Sequence, residues 1–259
     1  MPVFQTLRSL AAGALGALCA AAALLPAGPA AAQEMPPEER ALLRAEVRRY
    51  LLEHPEVVME ALRTLEQRRR EQAAQADGHL VRANADALFN DGYSYVAGNP
   101  EGDVTVVEFL DYNCGYCKRA HGEVKKLLET DPNVRLIIKE FPILGPGSTV
   151  AAQAALAALE QDGGSRYLAF SDALMRHRGA LDEEAVWRIA EEVGLDVRRL
   201  RDDAASRRVR ERVRANHDLA RALRIEGTPT FVVGDQLVRG YVPLEQLRQR
   251  IEKARADKG

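Results

Sequence analysis

The chemistry in this chain is concentrated in Cys114-Gly115-Tyr116-Cys117. Two intervening residues let the sulfurs meet when the segment forms the first turn of a helix. The pair stands between an apolar run, Val104 to Leu110, and a helical pattern, Lys118 to Glu129. A helix N-terminus offers unpaired N–H groups and a partial positive charge, both favourable to a thiolate. Such settings lower a cysteine pKa from about 8.5 to roughly 3.5–7.5. Only the thiolate attacks a disulfide, so the placement predicts a redox-active dithiol. Cys114, nearer the helix start, is the expected attacking thiol and Cys117 the resolving one.

Other uses of the pair fit less well. A disulfide closing so short a loop constrains little of the unfolded chain. A structural zinc site takes four ligands, and the five histidines here are scattered. Covalent haem attachment needs histidine directly after the second cysteine, where Lys118 stands.

The third cysteine, Cys19, falls in a segment that reads as a secretory leader, residues 1–32. Arg8 supplies the basic start, Leu10 to Leu25 the apolar middle, and Ala30-Ala31-Ala32 the small-residue cleavage site. The apolar stretch is short for a membrane span, which needs about 20 residues. The mature protein is therefore expected in the periplasm, carrying a single cysteine pair in a compartment where disulfides persist.

Two regions follow the leader. Residues 33–92 read as an N-terminal helical region. Pro36-Pro37-Glu38-Glu39 is a helix start, and His54-Pro55 is a break. Val58, Leu62 and Leu65 then begin a stripe that Arg69, Gln72, Ala76 and His79 continue in polar form. So little apolar surface would either dock on the main domain or pair with copies of itself as a short coiled coil, and self-association is the expectation.

Residues 93–259 read as the main domain. An edge strand near Tyr93 to Ala97 precedes strand Val104–Leu110, the dithiol helix, and a second buried strand, Val134–Phe141. Strand, helix and strand in this order make a parallel unit. A helical insertion spans about 148–225. Thr230–Val233 and Gln236–Arg239 pair about Gly234-Asp235 as a hairpin, and a last helix runs from Pro243. The fold class is α/β. The chain has 36 basic and 38 acidic residues, a formal charge of −2. Acids interrupt its arginine-dense stretch, Arg198 to Arg214, which reads as a solvated helix face, so no nucleic-acid partner is expected.

With these elements placed, the chain resembles the thioredoxin superfamily. The likeness rests on a C-x-x-C after a strand, and on Gly227-Thr228-Pro229-Thr230 before a hairpin and final helix. The insertion resembles the DsbA branch of exported thiol–disulfide oxidoreductases. Phe109 to Cys117, Lys139-Glu140-Phe141-Pro142-Ile143-Leu144-Gly145 and Tyr50 to Val57 resemble the Com1/ScsC type, named for suppressor of copper sensitivity protein C.

The resemblance implies a thioredoxin-like fold with a large helical insertion, preceded by an N-terminal helical region. It implies a cis Pro229 facing the dithiol, with Thr228 and Pro229 lining the client groove beside Gly115 and Tyr116. Glu108, six residues before Cys114, matches a buried acid that moves the Cys117 proton. Gly115-Tyr116 and the threonine before the proline resemble the exported isomerase more than the oxidase. The implied activity is disulfide isomerisation on exported cysteine-bearing clients, with a membrane redox partner and a homotrimer formed by the N-terminal helices. No cofactor is implied beyond the Cys114–Cys117 disulfide itself. Two alternatives stand beside it: a dithiol oxidase, and a copper(I) carrier using Cys114 and Cys117, since soft thiolates favour that ion. His121, one turn past Cys117, is the candidate third ligand for the carrier, and otherwise a surface residue.

Overall fold

The computed structural model describes residues 35–161 and 164–257. The expected leader, with Cys19, lies outside the described residues. Contacts divide the chain into two units, one ending at Glu60 and one beginning at Ala61.

In the first unit, helix α1 (Pro37–Glu53) begins with proline in its first turn, followed by Glu38 and Glu39. It stops at His54, because the residue before Pro55 avoids helical geometry. No residue of α1 is buried; Leu42, Leu43, Val47, Tyr50 and Leu52 are all exposed. Helix α2 (Glu56–Ala83) starts in this unit with exposed Val58 and Met59.

The second unit is built on five strands: β1 (Tyr95–Gly98), β2 (Val104–Leu110), β3 (Val134–Glu140), β4 (Thr230–Val233) and β5 (Gln236–Arg239). Their order across the sheet is β1-β3-β2-β4-β5. β2 and β3 are parallel, and every other neighbouring pair is antiparallel. The parallel pair flanks helix α4 (Gly115–Thr130), as the strand–helix–strand pattern predicts.

Alternation assigns side chains to the two faces. Val106, Glu108 and Leu110 share one face with Leu136, Ile138, Glu140, Phe231 and Val233. That face packs under α4 and the last helix, α10 (Leu244–Ala256), through Val124, Leu127, Leu247 and Ile251. Five helices inserted between β3 and β4 extend the same core: α5 (Pro146–Ala158), α6 (Tyr167–Arg176), α7 (Glu183–Glu192), α8 (Val197–Ala204) and α9 (Arg207–Ala222). Val107, Phe109, Ile137 and Val232 face the other way, against Leu219 and Leu223.

Val81 of α2 and Leu88 of α3 (Ala85–Phe89) also pack on that second face. Residues 33–92 read in sequence as one helical region, yet from Gly78 onward this segment is built into the sheet. The stripe that turns polar after Leu65 resumes as Val81 and Leu88, too widely spaced to register as a helix face. Polar bonds reinforce the seat. Arg135 donates to the Phe89 carbonyl (3.0 Å). Lys139, fully buried, reaches the Ala87 carbonyl (2.7 Å) and Asp91 (2.6 Å).

Candidate active site

Strand β2 ends at Leu110, and the chain must turn sharply to enter α4. Asp111 organises that turn. Its Oδ1 accepts from the Asn113 backbone N–H (2.8 Å) and the Ser148 hydroxyl (2.7 Å). Its Oδ2 accepts from the backbone of Ile143 (2.7 Å) and Leu144 (3.0 Å). One buried carboxylate thus ties the dithiol turn to the β3–α5 loop. Asn113 ties it to the insertion: Leu181 N–H donates to its Oδ1 (2.8 Å), and its amide faces Leu181 O at 3.3 Å. The two backbones pass so closely that a Cβ on Gly147 would stand 1.8 Å from Leu181 O, so glycine is required there.

Cys114 is the N-cap of α4, and its sulfur accepts from the Cys117 backbone N–H at 3.4 Å. Both thiols are free and buried. Gly115 and Tyr116, between them, are exposed. The Cys114 pKa is brought down to about 5. The largest cause is the hydrogen bond from the Cys117 thiol, which with the Thr228 side chain and the N–H groups of α4 outweighs burial. Cys117 moves the opposite way, far up, because it donates to Cys114, lies in the core and is near Glu108. The cap position therefore favours the thiolate at Cys114 and the protonated thiol at Cys117.

Across the groove, the Thr228–Pro229 bond is cis. Cys114 Sγ lies 3.2 Å from the Thr228 carbonyl oxygen. Pro229 O accepts from Gly240 N–H (2.9 Å), and the Thr230 hydroxyl donates to Gly227 O (2.8 Å), which fix the loop from both sides. Sequence spacing set Thr228 and Pro229 far from the dithiol; the fold brings them to it.

Glu108 lies on the α4 side of β2, 4% exposed. Burial, then the neighbouring Glu140, push its pKa up to about 8. Glu140 was not anticipated as a site residue, nor were Tyr112 and Tyr167, whose hydroxyls both donate to its Oε1 (2.8 and 2.7 Å). A lone acid inside the apolar run Val134 to Phe141, on the strand beside Glu108, was the available signal.

His121 lies away from the sulfurs' immediate partners. Its Nε2 is 2.8 Å from Asp172 Oδ1 on α6. Among the described residues, no group of three or more His, Cys, Asp or Glu is gathered closely enough to hold a metal ion.

A dithiol capping a helix beneath a cis-proline loop, on a sheet of this order, defines a thioredoxin-fold protein whose insertion is of DsbA type. The chain belongs to the DSBA-like thioredoxin domain family, whose model matches residues 105–252. Residues 39–72 match a second model, the copper resistance protein ScsC N-terminal domain.

Solved structures agree. A thioredoxin-like oxidoreductase from Silicibacter pomeroyi DSS-3 is 51% identical with TM-score 0.64, the match covering 66% of this chain and 97% of that one. Proteus mirabilis ScsC in a transitional conformation is 29% identical with TM-score 0.63, over 86% of this chain and 100% of that one. Among curated relatives, Na(+)/H(+) antiporter NhaA 3 of Salinispora tropica is 34% identical over 162 residues. That match takes in 62% of this chain and 24% of the antiporter, so the chain spans about a quarter of that relative's length.

Proposed function

We propose that this chain is a periplasmic thiol–disulfide oxidoreductase acting on exported proteins, chiefly as a disulfide isomerase. The single observation that carries the reading is the placement of the dithiol: Cys114 caps α4 with its Sγ 3.2 Å from the Thr228 carbonyl of the cis-proline loop, and Cys117 is buried behind it. This arrangement brings the Cys114 pKa down to about 5 and sends that of Cys117 far up. At neutral pH Cys114 is a thiolate and Cys117 keeps its proton.

Cys114 Sγ⁻ attacks a client disulfide; a Cys114–client disulfide forms and one client thiolate leaves with the electron pair. A second client thiolate then attacks the mixed disulfide, making a new client disulfide and returning Cys114 as thiolate. No net oxidation occurs. If the client stalls, Cys117 passes its proton to Glu108 in its ionised form, the minority form at neutral pH because burial raises its pKa to about 8, and attacks Cys114. The client leaves reduced, and the Cys114–Cys117 disulfide must be re-reduced by a membrane thiol–disulfide partner.

Exposed Tyr116, Ile143 and Leu144 give the dithiol an apolar rim suited to unfolded clients. The exposed apolar residues of α1 and early α2, in the segment matching the ScsC N-terminal model, support assembly into a trimer. Several dithiols around one client raise the effective concentration of the second attack.

The test is trapping and reshuffling. Cys117→Ser should hold exported proteins as mixed disulfides on non-reducing gels, and Cys114→Ser should hold none. Reduced wild-type protein should restore activity to a substrate with scrambled disulfides. Trapping without reshuffling would leave an oxidase and remove the isomerase.

A further inference from the structure

Glu108 and Glu140 lie on adjacent parallel strands with their side chains on the same face, two residues out of register: Glu108 pairs with Ile138, and Leu110 with Glu140. Both are almost wholly buried. Glu140 Oε1 receives two tyrosine hydroxyls, while its Oε2 has no hydrogen-bond partner among the described residues. A buried carboxyl oxygen left without a partner is costly in a folded protein unless the group carries a proton or serves a purpose. We propose that Glu140 is the second half of a carboxyl pair with Glu108, setting how readily Glu108 takes the proton of Cys117.

Glu108, 4% exposed, lines the inner wall of a cavity of about 720 Å³ between β1, α4 and α6, where exposed Leu168 and Ala169 form the outer wall. The cavity gives the Glu108 proton a short path to the medium. Ser171 lines the same cavity and lies 3.1 Å from the Tyr112 hydroxyl. Tyr112 donates to Glu140, so Ser171 in turn donates to Tyr112, and a hydroxyl chain links Glu140 to the cavity.

The charges around the pair come from every side. From α4 come Cys117 and, along the cavity, His121, Lys125 and Glu129. The dithiol turn adds Asp111, which works against ionisation of Glu140. From α6 come Tyr167 and Asp172, the latter held by His121, and β1 adds Tyr95. Lys139, next to Glu140 in sequence, points to the opposite face and is neutralised by Asp91. Burial lifts the Glu140 pKa to about 8 against the two tyrosine hydroxyls, which favour its charge, and Glu140 once charged makes Glu108 hold its proton more tightly. Two such carboxyls titrate as a pair. Glu140 touches no reacting atom and is a positioning residue for the proton step.

This inference rests on the proposed thiol exchange, and a two-phase experiment separates the two. The reduced protein is mixed with an aromatic disulfide whose thiolate absorbs visible light. Attack by Cys114 releases one thiolate. Attack by Cys117, after its proton moves to Glu108, releases the second. The second phase should accelerate with pH as Glu108 ionises. In Glu140→Gln, whose amide oxygen still accepts from both tyrosines, the midpoint should fall by about one pH unit. The second phase then becomes faster than wild type near pH 8, where Glu140 would be ionised, which general structural damage would not produce. The first phase should keep its profile. Tyr167→Phe, which removes one donor to Glu140, should move the midpoint the same way by less, and serves if Glu140→Gln folds poorly. Absence of both phases in the wild type would remove the exchange reading itself. Two normal phases with an unmoved midpoint in both variants would overturn the carboxyl pair alone.

Discussion

The carbonyl oxygen of Thr228 stands 3.2 Å from Cys114 Sγ, across 114 positions of sequence. The groove over the reactive sulfur is thus made by the loop entering β4, while the sulfur itself caps the helix leaving β2. Both segments hang from neighbouring strands whose register pairs Phe109 with Thr230. Any shift of that register would carry the loop away from the thiol.

The thiol asymmetry predicts a pH signature. Iodoacetamide should alkylate Cys114 with a midpoint near pH 5, and Cys117 should react only after unfolding. The same shift contributes to stability. The folded pKa of Cys114 lies below its unfolded value, so the thiolate stabilises the reduced fold fully above about pH 9. That contribution disappears as pH falls through 5. Denaturation of reduced wild type and Cys114→Ser should therefore diverge between those limits. A constant difference across that range would contradict the thiolate.

The buried acids predict the reverse trend. Glu108 and Glu140 both have pKa values raised to about 8, chiefly by burial. The folded state then holds protons that the unfolded chain has already lost. The cost begins above the ordinary carboxyl value and is complete once pH exceeds 8. Glu108→Gln should match wild type in stability near pH 4 and exceed it by on the order of a few kcal/mol at pH 9. Its resolving phase should be slower, because an amide takes no proton. Urea unfolding at the two pH values measures the first effect, and equal gains at both would refute it.

The buried Lys139–Asp91 pair (2.6 Å) should be structural. Asp91→Ala leaves an unpaired ammonium in the core and should cost about 3–5 kcal/mol. Lys139→Met combined with Asp91→Leu should cost much less. Cys114 reactivity should stay near wild type in any of these that fold, since Lys139 faces away from the dithiol. Loss of Cys114 alkylation in the folded double variant would tie the pair to function.

Most of this architecture was legible because local signals were strong. Gly234-Asp235 dictated the hairpin, His54-Pro55 the break between α1 and α2, and the apolar runs around a C-x-x-C the parallel pair. The positions of Cys114 at the start of α4, Cys117 one turn on and Glu108 on the buried strand before them could be read from spacing alone. Asp111 was missed as the organiser of the turn, because three of its four partners, Ile143, Leu144 and Ser148, come from the distant β3–α5 loop and the start of α5. Glu140 was missed because strand position alone did not say which face it occupied. Docking of the N-terminal region on the main domain was one of two open readings, but Val81 and Leu88 could not be named for it because two widely spaced apolar residues carry no period.

That seat decides where the chain can be cut. Deleting residues 33–90 would remove Val81 and Leu88 from the core around Phe109 and Ile137 and strip Lys139 of Ala87. Two such side chains are worth roughly 1.5–3 kcal/mol each when buried, so this deletion should unfold or badly weaken the domain. A chain beginning at Ala61 keeps them, along with the Asp77–Arg239 and Arg82–Asp235 ion pairs that fasten α2 to β5 and its turn. It loses α1 and the exposed Val58 and Met59, and with them much of the apolar surface proposed for assembly. The truncated protein should therefore fold, alkylate at Cys114 as before, run as a monomer by light scattering and lose most reshuffling activity. Persistence of the oligomer would move the joint to Leu62, Leu65 or beyond. A monomer with full reshuffling activity would show that assembly is not what makes the dithiol an isomerase.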